Sequence, residues 1–304
     1  MKFLLAILKK YNLHFFSTII FLIINTFLKL EYQSFISFFL IFSFGLIHGA
    51  NDIQLIQKKT QNYSVKFFIY SILLYSAIVL LGILVFFYIP KFGLLFFIFF
   101  SSFHFGEQHL STYNKDSINL IIKNILYISY GSTILGLLFS LQWLDTHVIV
   151  YEISELFIPK KIMELYFYIG FLTFFIISLF YKGLRKFLWI EICLIILLGF
   201  FFSKASLLLS FSVYFVFWHS IPSILDQLNF LYYEDNSRKM KYLLSSLPYW
   251  VMSIIGLLGF YFYFHTKPEA FLPLFFSFLA AITFPHTIVM GWLKIYKPKT
   301  KSKF

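Results

Sequence analysis

Apolar stretches of about 20 residues, the length an α-helix needs to cross the hydrocarbon core of a bilayer, follow one another along the whole chain. Nothing between them is long and polar enough to make a soluble domain. Inside a bilayer no water is available to bond a bare backbone, and a helix satisfies its own N–H and C=O groups within one segment. The pattern therefore predicts an all-α, polytopic integral membrane helix bundle forming one domain over residues 1–304. Composition agrees, with 60% hydrophobic and only 12% charged residues. The opening "MKFLLAILKKYNLHFFSTIIFLIINTF" has Lys before an apolar run, as a signal peptide does. No small-residue cleavage site follows, so the run reads as a retained first helix.

Apolar runs between charged or turn-forming breaks suggest about eight to ten transmembrane helices. The best parse has ten, near 14–30, 33–56, 67–89, 92–111, 118–141, 161–181, 187–203, 205–232, 246–265 and 270–293. Lys and Arg accumulate in cytoplasmic loops, which orients the chain. With the N-terminus inside, only Lys29, Lys91, Lys160, Lys161, Lys204 and Lys267 of the 25 basic residues fall on the outer side. Both termini are thus expected in the cytoplasm, and 142–160 is expected to be an outer loop with a short interfacial helix. The net charge of +12 is then a topology signal. It forms no basic patch interleaved with polar residues, so no nucleic-acid partner is expected. A single cysteine, Cys193, excludes an internal disulfide and a cysteine-based metal cluster.

Ionisable groups at membrane depth are costly and mark function. They are His48 and Asp52 in "GLIHGAND", His104, Glu107 and His109 in "FHFGEQHL", Glu191 in "LWIEICL", His219 and Asp226 in "FWHSIPSILDQ", and His286 in "TFPHTIVMGW". His14, His147 and His265 fall at span ends or in the outer loop, where interfacial water accounts for them. At 1.5 Å per residue, His48, His104 and His286 each lie roughly 12–17 Å before the next basic anchor (Lys58, Lys115 and Lys294), in one layer of the inner half of the membrane. His219 is on the same kind of span, with Pro222 expected to kink its helix. Four imidazoles at one depth favour a metal site, and neutral imidazole suits Fe, Zn, Cu or Ni.

The acids fit around such a site, since a ligating histidine usually gives its other N–H to a carboxylate. Asp52 is four residues after His48 and Glu107 three after His104, so each pair would share a helix face. The same spacing allows direct ligation or a lysine pair. Asp226 is a further candidate, while Glu191, alone on an apolar helix, is expected to serve a structural partner. Gly45 and Gly49 have the small-xxx-small spacing that lets helices approach. Phe105 and Trp218, next to histidines, could wall an apolar ligand slot.

On "GLIHGAND", "FHFGE", "WHSIPS" and "FPHTIVM", in that order over residues 45 to 290, the chain resembles the Brp/Blh family of bacterial and archaeal membrane β-carotene 15,15'-dioxygenases. The resemblance implies a multi-pass protein of the cell inner (plasma) membrane. It implies a non-haem Fe(II) held by histidines, β-carotene and O2 as substrates, all-trans-retinal as product, and a rhodopsin as a partner that takes the retinal over. His48, His104 and His219 match the family's ligand motifs. The family's second histidine of the late helix is replaced by Ser223, so His286 is the natural fourth ligand, with His109 behind it. Two rival readings stand beside this one. A transporter of metal ions or protons would spread its polar residues across the membrane thickness, whereas these cluster in the inner half. Another carotenoid-modifying iron enzyme, such as a hydroxylase or desaturase, would carry dense His-x-x-His-His boxes, which are absent from the sequence.

Overall fold

The fold is that of a computed structural model that describes residues 2–111, 119–232, 237–264 and 271–295. His265, Lys115, Lys267 and the basic tail "KPKTKSKF" lie outside the described residues. Among the described residues all regular structure is helical. Helices run as α1 Lys2–Asn25, α2 Leu30–Leu40, α3 Asp52–Thr60, α4 Val65–Tyr88, α5 Pro90–Leu110, α6 Leu120–Leu141, α7 Trp143–Ser154, α8 Lys160–Phe180, α9 Lys182–Arg185, α10 Leu188–Lys204, α11 Leu207–Val213, α12 Ile221–Tyr232, α13 Arg238–Phe264 and α14 Phe271–Ile295. Two π-helical segments, Ile41–Gly45 after α2 and Tyr214–Ser220 between α11 and α12, complete the order.

Six stretches are long and apolar enough to span a membrane: Val65–Tyr88, Leu120–Leu141, Lys160–Phe180, Leu207–Tyr232, Lys239–Gly259 and Leu272–Leu293. They make the chain a multi-pass membrane protein, and they coincide with six of the ten expected spans. The other four differ for identifiable reasons. Tyr11–Asn25 and Leu30–Gly45 are apolar but short, and α10 has 17 residues. The 21 residues of α5 are long enough, but "SSFHFGEQH" makes its C-terminal half polar.

The expected span 33–56 is not one helix. After the π-helical turn the chain leaves the helix through a turn at His48–Asn51, and α3 starts afresh at Asp52. The turn is closed by Gly49 N–H to Leu46 O (3.3 Å) and Ala50 N–H to Ile47 O (3.1 Å). Gly and Asn are weak helix formers, and the Asn51 side chain is used elsewhere, donating to Tyr242 O (3.2 Å) and accepting from Ser245 Oγ (2.7 Å).

The chain falls into two compact units. The first comprises Met1–Gly45, Ser101–Tyr151 and Leu156–Ser223. Here α6 lies along α8, and α10 packs on α1 and α6. Its fully buried side chains include Ile134, Leu138, Phe174, Leu198 and Phe201. Backbones approach closely where glycine sits: a Cβ on Gly106 would stand 1.9 Å from Tyr127 O, and one on Gly131 the same distance from Ser102 O. Small residues are what lets membrane helices pack this tightly. The C-terminal carbonyls of α10, which no intrahelical N–H can reach, are covered by side chains. Asn25 Nδ2 donates to Lys204 O (2.9 Å), and Gln142 Nε2 donates to Ala205 O (2.7 Å) and to Phe202 O. The expected helix in the 142–160 loop is α7, and its Trp143 Nε1 donates to Ile158 O (3.2 Å).

The second unit comprises Leu46–Phe100, Glu152–Glu155 and Ile224–Phe304. Helix α4 packs along α14, with Gly82 against Ala281 and Phe284, and α3 packs on both. Leu55, Leu228, Leu231, Tyr242, Val289 and Met290 form its buried cluster. Pro285 stands inside α14 and removes one backbone donor immediately before His286.

Candidate metal centre

In the first unit, the π-helical segment Tyr214–Ser220 carries His219 and α5 carries His104. A π-helical turn inserts an extra residue and re-aims the side chains beyond it, which is why such turns recur at functional sites. Both imidazoles are 1% exposed, and their ring centroids stand 4.6 Å apart, edge to face at 74°. Phe105 meets the His219 ring at 4.8 Å, and Phe215 lies nearly parallel to it at 5.8 Å. Phe215 is itself held where Gly45 leaves room: a Cβ there would come within 2.9 Å of its ring. Glu107 is buried one turn along from His104.

Trp218 turns to a different neighbourhood. Its Nε1 donates to Thr18 Oγ1 (3.1 Å), and its ring meets His14 at 4.8 Å and lies nearly parallel to His109 at 6.1 Å. This second polar cluster is centred on Glu191, which is fully buried. The carboxylate accepts from Tyr11 OH (2.8 Å), Tyr130 OH (3.4 Å) and His109 Nε2 (2.9 Å). The partners of Glu191 thus include His109, which is stacked flat on Tyr130 at 4.5 Å. His14, expected in interfacial water, is instead buried beside them.

In the second unit, His48 occupies the turn between the π-helical segment and α3, and His286 follows Pro285 on α14. They too are buried, with ring centroids 4.6 Å apart at 87°. Gln227 Nε2 donates to the His48 carbonyl (2.7 Å), and Tyr242 OH holds Gln227 Oε1 (2.8 Å), which pins the turn. Because the helix is broken, Asp52 does not share a helix face with His48. Its carboxylate oxygens lie 3.0 Å from Nδ1 of His286 and accept its proton, and Tyr75 OH donates to Oδ2 (2.9 Å). An imidazole that gives Nδ1–H to a carboxylate presents the Nε2 lone pair on its far side, the tautomer a metal needs.

The remaining candidates separate by exposure. Asp226 is exposed on α12, and the buried position is taken by its neighbour Gln227. Ser223 is fully buried. Tyr75 and Phe215, which act on Asp52 and on the His219 ring, carry no motif that would single them out among 21 Tyr and 45 Phe, and Gln227 is an uncharged residue beside the more conspicuous Asp226. Each buried imidazole pair offers uncharged nitrogen donors, ligands that suit Fe, Zn or Cu.

No curated protein and no solved structure matches the chain. A family model does: the one described as Beta-carotene 15,15'-dioxygenase matches residues 39–294. That stretch holds His48, His104, His219 and His286 together with Asp52 and Tyr75, and over it the chain belongs to the beta-carotene 15,15'-dioxygenase family.

Proposed function

We propose that the chain, acting as one integral domain, uses O2 to cleave the central 15,15' double bond of β-carotene into two molecules of all-trans-retinal. The metal in this reading is a non-haem Fe(II) held by His48, His104, His219 and His286, and bound there it would supply the activation of O2. The observation that carries the reading is the presence of two edge-to-face pairs of buried imidazoles within a segment matched by the dioxygenase family.

The bond cleaved is electron-rich, and each new carbonyl takes one oxygen atom of O2, so no protein nucleophile is needed. What the chain must do is orient the polyene and keep water out. Phe105, against His219, is a proposed wall of the carotenoid slot, with Trp218 as the second. Asp52 holds His286 in its ligating tautomer. Glu107 is proposed to act similarly toward His104, and Asp226 is retained only as an outlying candidate because it is exposed. An apolar substrate reaches such a site sideways from the bilayer, and retinal leaves by the same phase toward an opsin. The inner (plasma) membrane is the proposed location.

Expression in a host that accumulates β-carotene tests this directly. Bleached cells and retinal on chromatography are the expected result, with His219→Ala and His48→Ala abolishing both. Folded, iron-loaded protein in unbleached cells without retinal removes the reading.

A further inference from the structure

Tyr75, on α4, reaches His286 through a short chain of contacts. Its hydroxyl donates to Asp52 Oδ2 at 2.9 Å, and the same carboxylate lies 3.0 Å from His286 Nδ1 through each of its oxygens. Asp52 is 1% exposed, and Tyr75 packs half-buried against the cluster of Leu55, Val289 and Met290. Asp52 also opens α3, where the helix dipole favours a negative charge. From these contacts we propose that Tyr75 is a positioning residue for the metal: it fixes the rotation of the Asp52 carboxylate and, through it, the tautomer and aim of His286. The inference rests on the metal-binding reading above and assigns a role within it that no motif marks.

The physical case is one of constraint. A carboxylate with a single partner can turn about its last torsion and meet Nδ1 with either oxygen or with none. A second donor on Oδ2 removes that freedom, because both bonds are satisfied in one rotamer only. Since α4 packs along α14, which bears His286, the hydroxyl and the imidazole are carried on neighbouring helices and grip the same carboxylate. Tyr75 touches neither substrate nor metal in this scheme, and its effect passes entirely through Asp52.

That last statement gives the test. Full-length protein in detergent is titrated with Co(II), whose visible absorption reports coordination, against a competing chelator. Partners of ligating histidines are worth 10–100-fold in metal affinity, so Asp52→Asn should lose about that much, and Tyr75→Phe, one contact further out, roughly 3–10-fold. Tyr75→Phe removes one oxygen atom and leaves the helix packing as it is. In the Asp52→Asn background the same change should cost nothing more, because the path it acts through is already cut. Unchanged affinity in Tyr75→Phe, or an equal loss in both backgrounds, overturns the proposal while leaving metal binding intact. Wild-type protein that takes up no Co(II) overturns both.

Discussion

His109 lies flat on Tyr130 and gives Nε2 to Glu191, a carboxylate with no exposure at all. A buried acid that loses its imidazole partner and keeps only neutral hydroxyls is costly, whereas removing acid and base together and filling the space can be closer to neutral. His109→Leu alone is therefore expected to cost about 3 kcal/mol, and the double change Glu191→Leu with His109→Leu to cost less than that single one. Thermal melting in detergent compares them, and a double variant that melts lowest would show that the pair is not what holds the cluster. At this scale the sequence exposes which residues matter better than it exposes whom they meet. The four histidines and Glu191 stand out because charge or imidazole is rare at membrane depth. Their partners lie far along the chain: Glu191 is 82 residues from His109, and Asp52 is 234 from His286. Local spacing points Asp52 to His48, and only the turn at His48–Asn51 redirects it.

Helix contacts in the first unit depend on missing side chains. Gly106 and Gly131 let α5 and α6 approach until a methyl group on either would fall inside a carbonyl of the other helix. Gly106→Ala must push the helices apart, at about 1–3 kcal/mol or more. Gly259→Ala, in a helix position where a Cβ would meet nothing within 4 Å, should instead gain a few tenths up to about 1 kcal/mol from helix propensity. A drop in melting temperature for Gly259→Ala would mean that propensity is not the term at work there, and an unchanged Gly106→Ala would mean the same for close approach. The helices themselves are legible from apolar run length. Their interruptions are less so, because a π-helical turn such as Tyr214–Ser220 keeps the composition of a helix while shifting its register. The break before Asp52 has a visible cause in "HGAN", yet the long apolar run around it reads as one span.

For the whole molecule, length and hydropathy suffice to read a multi-pass membrane protein. The number of crossings is harder, since α5 and α10 are helices of spanning or near-spanning length whose polar ends or shortness set them apart. Cys193 lies exposed on α10 and is the only cysteine. If α10 is embedded in lipid, a membrane-impermeant maleimide should leave Cys193 unlabelled in intact membranes and label it fully in denaturing detergent; ready labelling in membranes would put α10 in water. The distribution of Lys and Arg predicts that a reporter active only outside the cytoplasm works when fused after Ile158 and is silent after Lys186, and the reverse pattern would invert the topology. The pairing of His48 with His286 has a consequence for biogenesis. A ribosome releases the turn bearing His48 early, but its partner emerges only with α14, after every other described helix has been made. Until that helix inserts, the nascent chain holds half of an imidazole pair, so metal capture by this pair is a late event in synthesis, timed by chain order.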